Sequence, residues 1–537
     1  MRPLLMHPDQ DFDQHRVLRD LMYQYRKPEG RRHLPLHQEA LIEDLELRTL
    51  FDTMAGGDEF LFEVAQEALL TGPQNGLETV LYRQEVWRDC LKHPALIRQL
   101  YSLTVEAIDG TRRRWWSLSS TYPSTLLHDA IEMLEVLSAM LRKLRLFADQ
   151  HAILFESKAF EAMFTMVRVE LTEEYLATVE TYLADLKFHK GVLLSAELGD
   201  SNESTNLMLR KAGGKRRSWF ERFFGKGPPG FTFHLAERDE TGGRILSDMR
   251  HRGIKRVTIA LAESAHHVST FFTMLRTELA FYVGCLNLHD RLISKGEPTS
   301  IPVPASAGER TNHFNGLYDV SLTLHMTGRV AGNSAVADGK NLVIITGANQ
   351  GGKSCFLRSI GLAQLMMQSG MFVGAESFTG ELCPALFTHY KREEDATMKS
   401  GKFDEELARM SAIVDDIKPN SMVLFNESFA ATNEREGSEI ARQIVCALLE
   451  KRVKVFFVTH LYQFARAFFE TRTADGLFLR AERLPDGRRT FRLVEGAPFE
   501  TSYGEDLYKA IFGSGTHDTS RWLPSCVTDS SQIQPDG

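Results

Sequence analysis

The chain has 537 residues, 43% of them hydrophobic and 25% charged, and a formal charge of −8. These values exclude a collagen-like or wholly disordered chain, and the length predicts roughly three to four domains of about 150 residues. A mildly acidic protein meets nucleic acid only through a local basic patch.

Six cysteines (Cys90, Cys285, Cys355, Cys383, Cys446 and Cys526) are scattered without a Cys-x-x-Cys pair. That pattern argues against a disulfide framework or zinc knuckle and for a reducing, cytoplasmic setting. The first residues carry no apolar signal core, and no run of about 18 apolar residues occurs, so no membrane span is expected.

Residues 1–40 read as a polar N-terminal segment, and residues 41–300 as a helical region. Leu47, Leu50, Phe51, Met54, Leu61, Val64, Ala65, Ala68 and Leu69 recur mostly at spacings of three and four, the period of a helix face. The pattern continues through residues 77–103, 124–147 and 158–186, while strand-like alternation is scarce. Asp200–Asn206 reads as a loop. Residues 257–294 predict one long helix of about 57 Å at about 1.5 Å per residue. Gly296, Pro298, Pro302 and Pro304 then mark a boundary near residue 300, with residues 301–537 as the last domain.

Two basic clusters interrupt the helical region. Arg112, Arg113 and Arg114 precede Trp115 and Trp116. An insert at 208–230 carries Lys211, Lys215, Arg216 and Arg217 beside Trp219, Phe220, Phe223 and Phe224. Basic residues with aromatic neighbours suit DNA phosphates. The alternatives are a solvated basic face and, for Trp219–Phe224, an amphipathic stretch on an anionic membrane surface.

The chemistry is concentrated after residue 340. Asn341–Thr346 is a short apolar strand pattern, followed by Gly347-Ala348-Asn349-Gln350-Gly351-Gly352-Lys353-Ser354 and a helical run. Strand, Gly-x-x-x-x-Gly-Lys-Ser and helix in that order form a P-loop. Its glycines let backbone N–H groups curl around phosphate, Lys353 reaches the β/γ-phosphates, and Ser354 ligates Mg²⁺. A second strand, Met422–Phe425, ends in Asn426-Glu427, the position of metal support and water activation. Asn426 retains an oxygen but lacks charge, so weaker metal binding is expected. Glu427 is the candidate general base. A third strand, Val453–Thr459, ends at His460, placed to bond a γ-phosphate or the attacking water.

Residues 313–513 resemble the ATPase domain of the MutS family of DNA mismatch-repair proteins. Thr346–Ser354 is similar to that family's Thr-Gly-Pro-Asn-Met-Gly-Gly-Lys-Ser, with Ala348 and Gln350 as the departures. Gly370–Ala375, Asp395, Ser400–Leu407, Asn426–Gly437, Thr459-His460, Ser502-Tyr503-Gly504 and Phe512-Gly513 continue the resemblance. Upstream, Asp44–Leu47 and Tyr82–Val86 look like the start of the family's helical lever and clamp, with residues 257–294 as a return lever.

The resemblance implies a mixed α and α/β chain: a mostly helical lever/clamp region, then an ABC-like P-loop NTPase. It implies ATP and Mg²⁺ as ligands, with Gly347, Asn349, Gly351, Gly352, Lys353 and Ser354 on the nucleotide and Asn333 beside the adenine. It also implies a homodimer in which Ser400, Gly401 and Lys402 complete the partner's site. Duplex or branched DNA would be the substrate surface, with repair proteins as further partners.

Two departures matter. Too little chain precedes residue 40 for the family's mismatch-reading domain, and Phe429-Ala430-Ala431 replaces its Gly-Arg-Gly. The alternative function is therefore a slowly hydrolysing, nucleotide-gated protein-interaction switch.

Overall fold

The computed structural model describes residues 2–6, 36–115, 122–189, 191–200, 204–210, 233–236, 238–392, 401–472, 475–484 and 488–499. Helix and sheet are mixed in two compact units. One comprises Met1–Ser306 with Ala363–Val373, and the other Ala307–Leu362 with Gly374–Gly537.

The first unit is helical: α1 (Leu36–Asp44), α2 (Leu47–Ala55), α3 (Glu59–Leu70), α4 (Leu77–Lys92), α5 (Pro94–Trp115), α6 (Pro123–His151), α7 (Lys158–Glu170), α8 (Glu173–Leu186) and α9 (Glu240–Ser294). Local chemistry fixes several helix starts. The Asp58, Ser157 and Thr172 side chains accept the first free N–H groups of α3, α7 and α8. Leu47, Leu50, Phe51 and Met54 of α2 are fully buried, as their spacing predicts.

Two features differ from the sequence expectation. Helix α9 has 55 residues and starts at Glu240, not near residue 257. Its opening turns are mostly exposed, and only Gly253 and Ile254 are buried before Thr258. An apolar stripe therefore does not announce them. The Asp239 cap and the Arg244–Glu240 pair support them instead. A strand pair, β1 (Leu194–Leu198) and β2 (Ser204–Leu209), also occurs where strand patterning is scarce. Its largely exposed residues give little apolar alternation, while the Leu194 side chain packs closely over Gly253 of α9.

The second unit carries a six-stranded sheet. Its strands are β6 (Leu342–Thr346), β8 (Leu386–Tyr390), β9 (Met422–Asn426), β10 (Lys454–Val458), β11 (Gly476–Arg483) and β12 (Arg489–Glu495). Their order is β12–β11–β6–β10–β9–β8. All neighbours are parallel except β11 and the edge strand β12. Helices α11 (Lys353–Gln368), α12 (Lys402–Asp416), α13 (Glu434–Glu450) and α14 (Tyr462–Thr471) alternate with the strands. Strand β3 (Val303–Ala305) belongs to the first unit; in the second, a further sheet pairs β4 (Asn312–Leu317) with β5 (Asn333–Val336) and β7 (Ser377–Glu381). Asp319 caps α10 (Val320–His325).

The parallel strands read as continuous apolar runs because both faces are covered. One core cluster joins Ile344, Phe425 and Phe457 on the sheet to Met410, Val445 and Phe464 on the helices. The Phe425 and Phe457 rings stack at 4.8 Å. This packing fixes the strand register, and with it the loops at the carboxyl ends.

Candidate functional site

The carboxyl ends of β6, β9 and β10 lie side by side, with Val458 opposite both Ile345 and Asn426. Loops that are distant in sequence therefore converge at one edge of the sheet, where open parallel sheets bind ligands.

The loop between β6 and α11 is built by its glycines. Gly347 and Gly352 have φ of 110° and 87°, and Gln350 has 57°. A Cβ on Gly347 would lie 2.8 Å from the Ala481 nitrogen, and one on Gly351 would lie 2.6 Å from the Ala481 Cβ. Strand β11 thus presses on the loop and leaves no room for a side chain at either position. Lys353 is only 4% exposed, and its Nζ donates to the Gly347 and Ala348 carbonyls at 3.0 and 2.9 Å. Burial lowers its pKa to about 8; Glu427 opposes this shift and Arg489 adds to it. Arg489 also donates to Gln350 Oε1 at 3.0 Å, fastening β12 to the loop.

Ser354 Oγ donates to Asn426 Oδ1 at 3.1 Å. The two neutral oxygens proposed for the metal are thereby adjacent. Glu427 follows in the left-handed region at φ 55°, with its N–H on the Val458 carbonyl at 2.9 Å. Its Oε1 lies 2.9 Å from His460 Nε2. The hydrogen bond from His460 holds the Glu427 carboxyl below its usual pKa, against burial and with help from Lys353 and Lys391. The pair is about one-third exposed, so water reaches it.

A buried polar cluster backs this loop. Glu406 Oε2, on α12, accepts the Phe429 N–H at 2.9 Å. Phe429 is itself at φ 63° and stacks on the His389 ring. Burial first, then Arg409, lowers the His389 pKa to about 4, so the ring is neutral. Its Nε2 lies 3.0 Å from the Glu406 carbonyl and its Nδ1 2.7 Å from the Ser428 hydroxyl, which itself donates to the His389 carbonyl at 2.5 Å. Sequence reasoning gave no role of their own to Glu406 and Ser428, which fall inside the Ser400–Leu407 and Asn426–Gly437 segments of the resemblance, and missed His389 and Arg489. The signal at His389 was a polar pair, Thr388-His389, inside the fully buried strand β8.

The other predicted residues are placed as follows. Asn349 is exposed on the loop. Asn333 is buried on β5 and accepts the Leu493 N–H at 2.8 Å, tying β5 to β12. Gly401 immediately precedes α12, and Lys402 is its first residue. Arg112 is exposed on α5; Arg113 and Arg114 lie on the same helix, with side chains outside the described residues. Ser400, Asp395, Lys211, Lys215, Arg216, Arg217 and the segments 502–504 and 512–513 also lie outside them. No helix among the described residues is long and apolar enough to cross a membrane.

A parallel sheet with a glycine loop leading into a helix defines the P-loop class of α/β fold. Comparison with known proteins narrows it. The family model of the MutS2 N-terminal domain matches residues 75–295, and that of MutS domain V matches residues 343–512. Human MutS protein homolog 4 is 28% identical over 211 residues, 38% of this chain and 22% of that protein. Endonuclease MutS2 of Thermus thermophilus is 34% identical over 169 residues, 31% of this chain and 22% of its own. DNA mismatch repair protein MutS of Syntrophomonas wolfei is 35% identical over 130 residues, 24% of this chain and 15% of its own. The chain belongs to the MutS family. Its matches cover at most 22% of the length of these relatives.

Proposed function

We propose that the protein binds and hydrolyses ATP, and that this cycle controls its grip on duplex or branched DNA in repair or recombination. The observation that carries the hydrolytic reading is the Glu427–His460 pair at 2.9 Å beside the P-loop. An ionised carboxylate held by an imidazole suits orienting and deprotonating a water. Lys353 and the loop N–H groups suit the phosphates, with Lys353 exchanging its two loop carbonyls for phosphate oxygens. Catalysis then rests on positioning and charge. Gly347 and Gly351, whose Cβ positions are blocked, keep the backbone close enough to serve.

The donor set fits Mg²⁺ as a hard, water-rich ion: Ser354 and Asn426 supply oxygens 3.1 Å apart beside an ionised Glu427. When bound, the ion would neutralise phosphate charge. Asn426 contributes no charge of its own, which supports a slow turnover.

The DNA reading rests on the family and on relatives named for DNA mismatch repair. In it, two copies form a homodimer in the cytoplasm, and Ser400, Gly401 and Lys402 of one copy complete the other's site. The long helix α9 acts as the lever to a DNA clamp. Arg112–Arg114 and the basic insert supply phosphate contacts. The neutral Asn426 favours a second reading, a nucleotide-gated protein-interaction switch.

Steady-state Mg²⁺-ATP hydrolysis with and without duplex DNA, beside Lys353→Ala, tests the proposal. DNA-stimulated turnover that the variant loses supports it. Turnover indifferent to DNA favours the switch.

A further inference from the structure

Within the first unit, a short stretch near the N-terminus is packed like a ligand. Pro3 is buried, Leu5 is 0% exposed and Met6 is 7% exposed. The Leu4 carbonyl accepts from Tyr82 Oη at 2.5 Å, the Leu5 carbonyl from Tyr282 Oη at 2.9 Å, and the Met6 carbonyl from Arg83 Nε at 3.0 Å. The Leu5 N–H donates to Glu278 Oε2 at 2.5 Å, and the Met6 N–H also bonds this carboxylate. Each of these main-chain groups is met by a side chain, not by another backbone. Tyr82 and Arg83 come from α4, and Glu278 and Tyr282 from α9.

We propose that α4 and α9 form a peptide-binding slot, that Leu4-Leu5-Met6 is its resident ligand, and that the slot takes an apolar peptide presented in trans, in the same bent backbone path, when this segment is out.

Three observations carry this. The receptor is polar where the ligand backbone lies: Glu278, Arg83 and Tyr282 are buried, and each needs a partner when water is excluded. An occupant must offer successive carbonyls and N–H groups with apolar side chains between them, which is the chemistry of a peptide backbone. Secondly, Leu4 sits at φ 55°, a region that L residues rarely adopt. The slot's own contacts hold it there, and release relaxes it. Thirdly, 29 residues, 7–35, join the segment to α1. The segment is therefore covalently tethered to the chain, so a peptide in trans competes with it only once it is displaced.

The test uses the full chain and a fluorescein-labelled peptide of sequence Met-Arg-Pro-Leu-Leu-Met, followed by anisotropy. Leu5→Asp expels the resident segment, because it places a charge in a fully buried pocket. It leaves the receptor side chains intact. The expected result is at least tenfold tighter peptide binding by Leu5→Asp than by the unaltered chain, and loss of that gain when Glu278→Ala is added. Equal binding by a folded Leu5→Asp protein and the unaltered chain overturns the proposal. Hydrogen exchange on the unaltered chain gives a second readout if Leu5→Asp does not fold. Protection of the Leu5 and Met6 amides at least tenfold above Glu278→Ala supports the slot, and exchange at the unprotected rate overturns it.

Discussion

The Glu406 carboxylate on α12 accepts the Phe429 N–H at 2.9 Å, two residues beyond Glu427. Glu427 and Phe429 both have positive φ, at 55° and 63°. Such a loop persists only where its surroundings over-determine it. Glu406, the Val458 carbonyl and the His389 stack supply those constraints. A helix that begins at Lys402 is thus tied to the loop that aims the candidate base.

Glu406→Ala removes the acceptor of a buried N–H, a loss of about 1–3 kcal/mol. The expected outcome is at least about a tenfold fall in ATP turnover, with nucleotide affinity nearly unchanged. Glu406→Gln keeps an acceptor oxygen and restores most of the rate. Turnover and nucleotide binding measured on both variants check this. An unaltered rate in Glu406→Ala would remove Glu406 from the positioning of Glu427.

Lys353, with its pKa lowered to about 8, predicts a pH limit on nucleotide binding. Below that value the ammonium is charged and ready for phosphate. Above it the free protein must take up a proton to present the charge, so affinity should fall by up to about tenfold per pH unit. Titrations between pH 7 and 10 test the sign. Lys353→Ala should bind weakly throughout and lose the slope.

The lowered pKa of Glu427 has the opposite consequence. A depressed carboxylate stays ionised at and above the ordinary carboxylate range and is lost only as pH falls through its folded value. Turnover that declines between pH 7 and 5 is therefore not protonation of Glu427. Glu427→Gln should bind nucleotide and lose at least about a hundredfold in rate, the size expected for a general base.

Asn426→Asp restores a negative charge 3.1 Å from the Ser354 hydroxyl. Charge-assisted contacts are about twice as strong as neutral ones. The midpoint of Mg²⁺ activation should fall, and turnover should rise by about tenfold, roughly 1.4 kcal/mol. An unchanged Mg²⁺ midpoint would mean that residue 426 does not support the metal.

Glu278 makes stability depend on pH. Burial raises its pKa from 4.5 to about 7, opposed by the Leu5 and Met6 N–H groups and by Arg83. The folded state holds the extra proton, so this contribution is full below about pH 4.5 and is lost as pH rises through about 7. Its span is about 3 kcal/mol. Denaturant melts of Glu278→Gln should lack this slope between pH 5 and 8, whereas the unaltered chain should show it.

Local sequence determined the elements that carry the site. The glycine pattern of 347–352 is legible because Gly347 and Gly352 take φ values that L residues rarely adopt, and because Ala481 leaves no room for a Cβ on Gly347 or Gly351. The three apolar runs ending at Thr346, Asn426 and Val458 are legible because strands buried on both faces need continuous hydrophobicity. Tertiary structure decided what those runs could not specify. Parallel register brings Glu427 and His460, 33 positions apart, to 2.9 Å. Long-range packing places Glu406 behind Phe429, and folds Leu5 onto Glu278 across 273 positions. These pairings follow from how the strands and helices pack, and a polar residue acquires such a partner only when that packing excludes water around it.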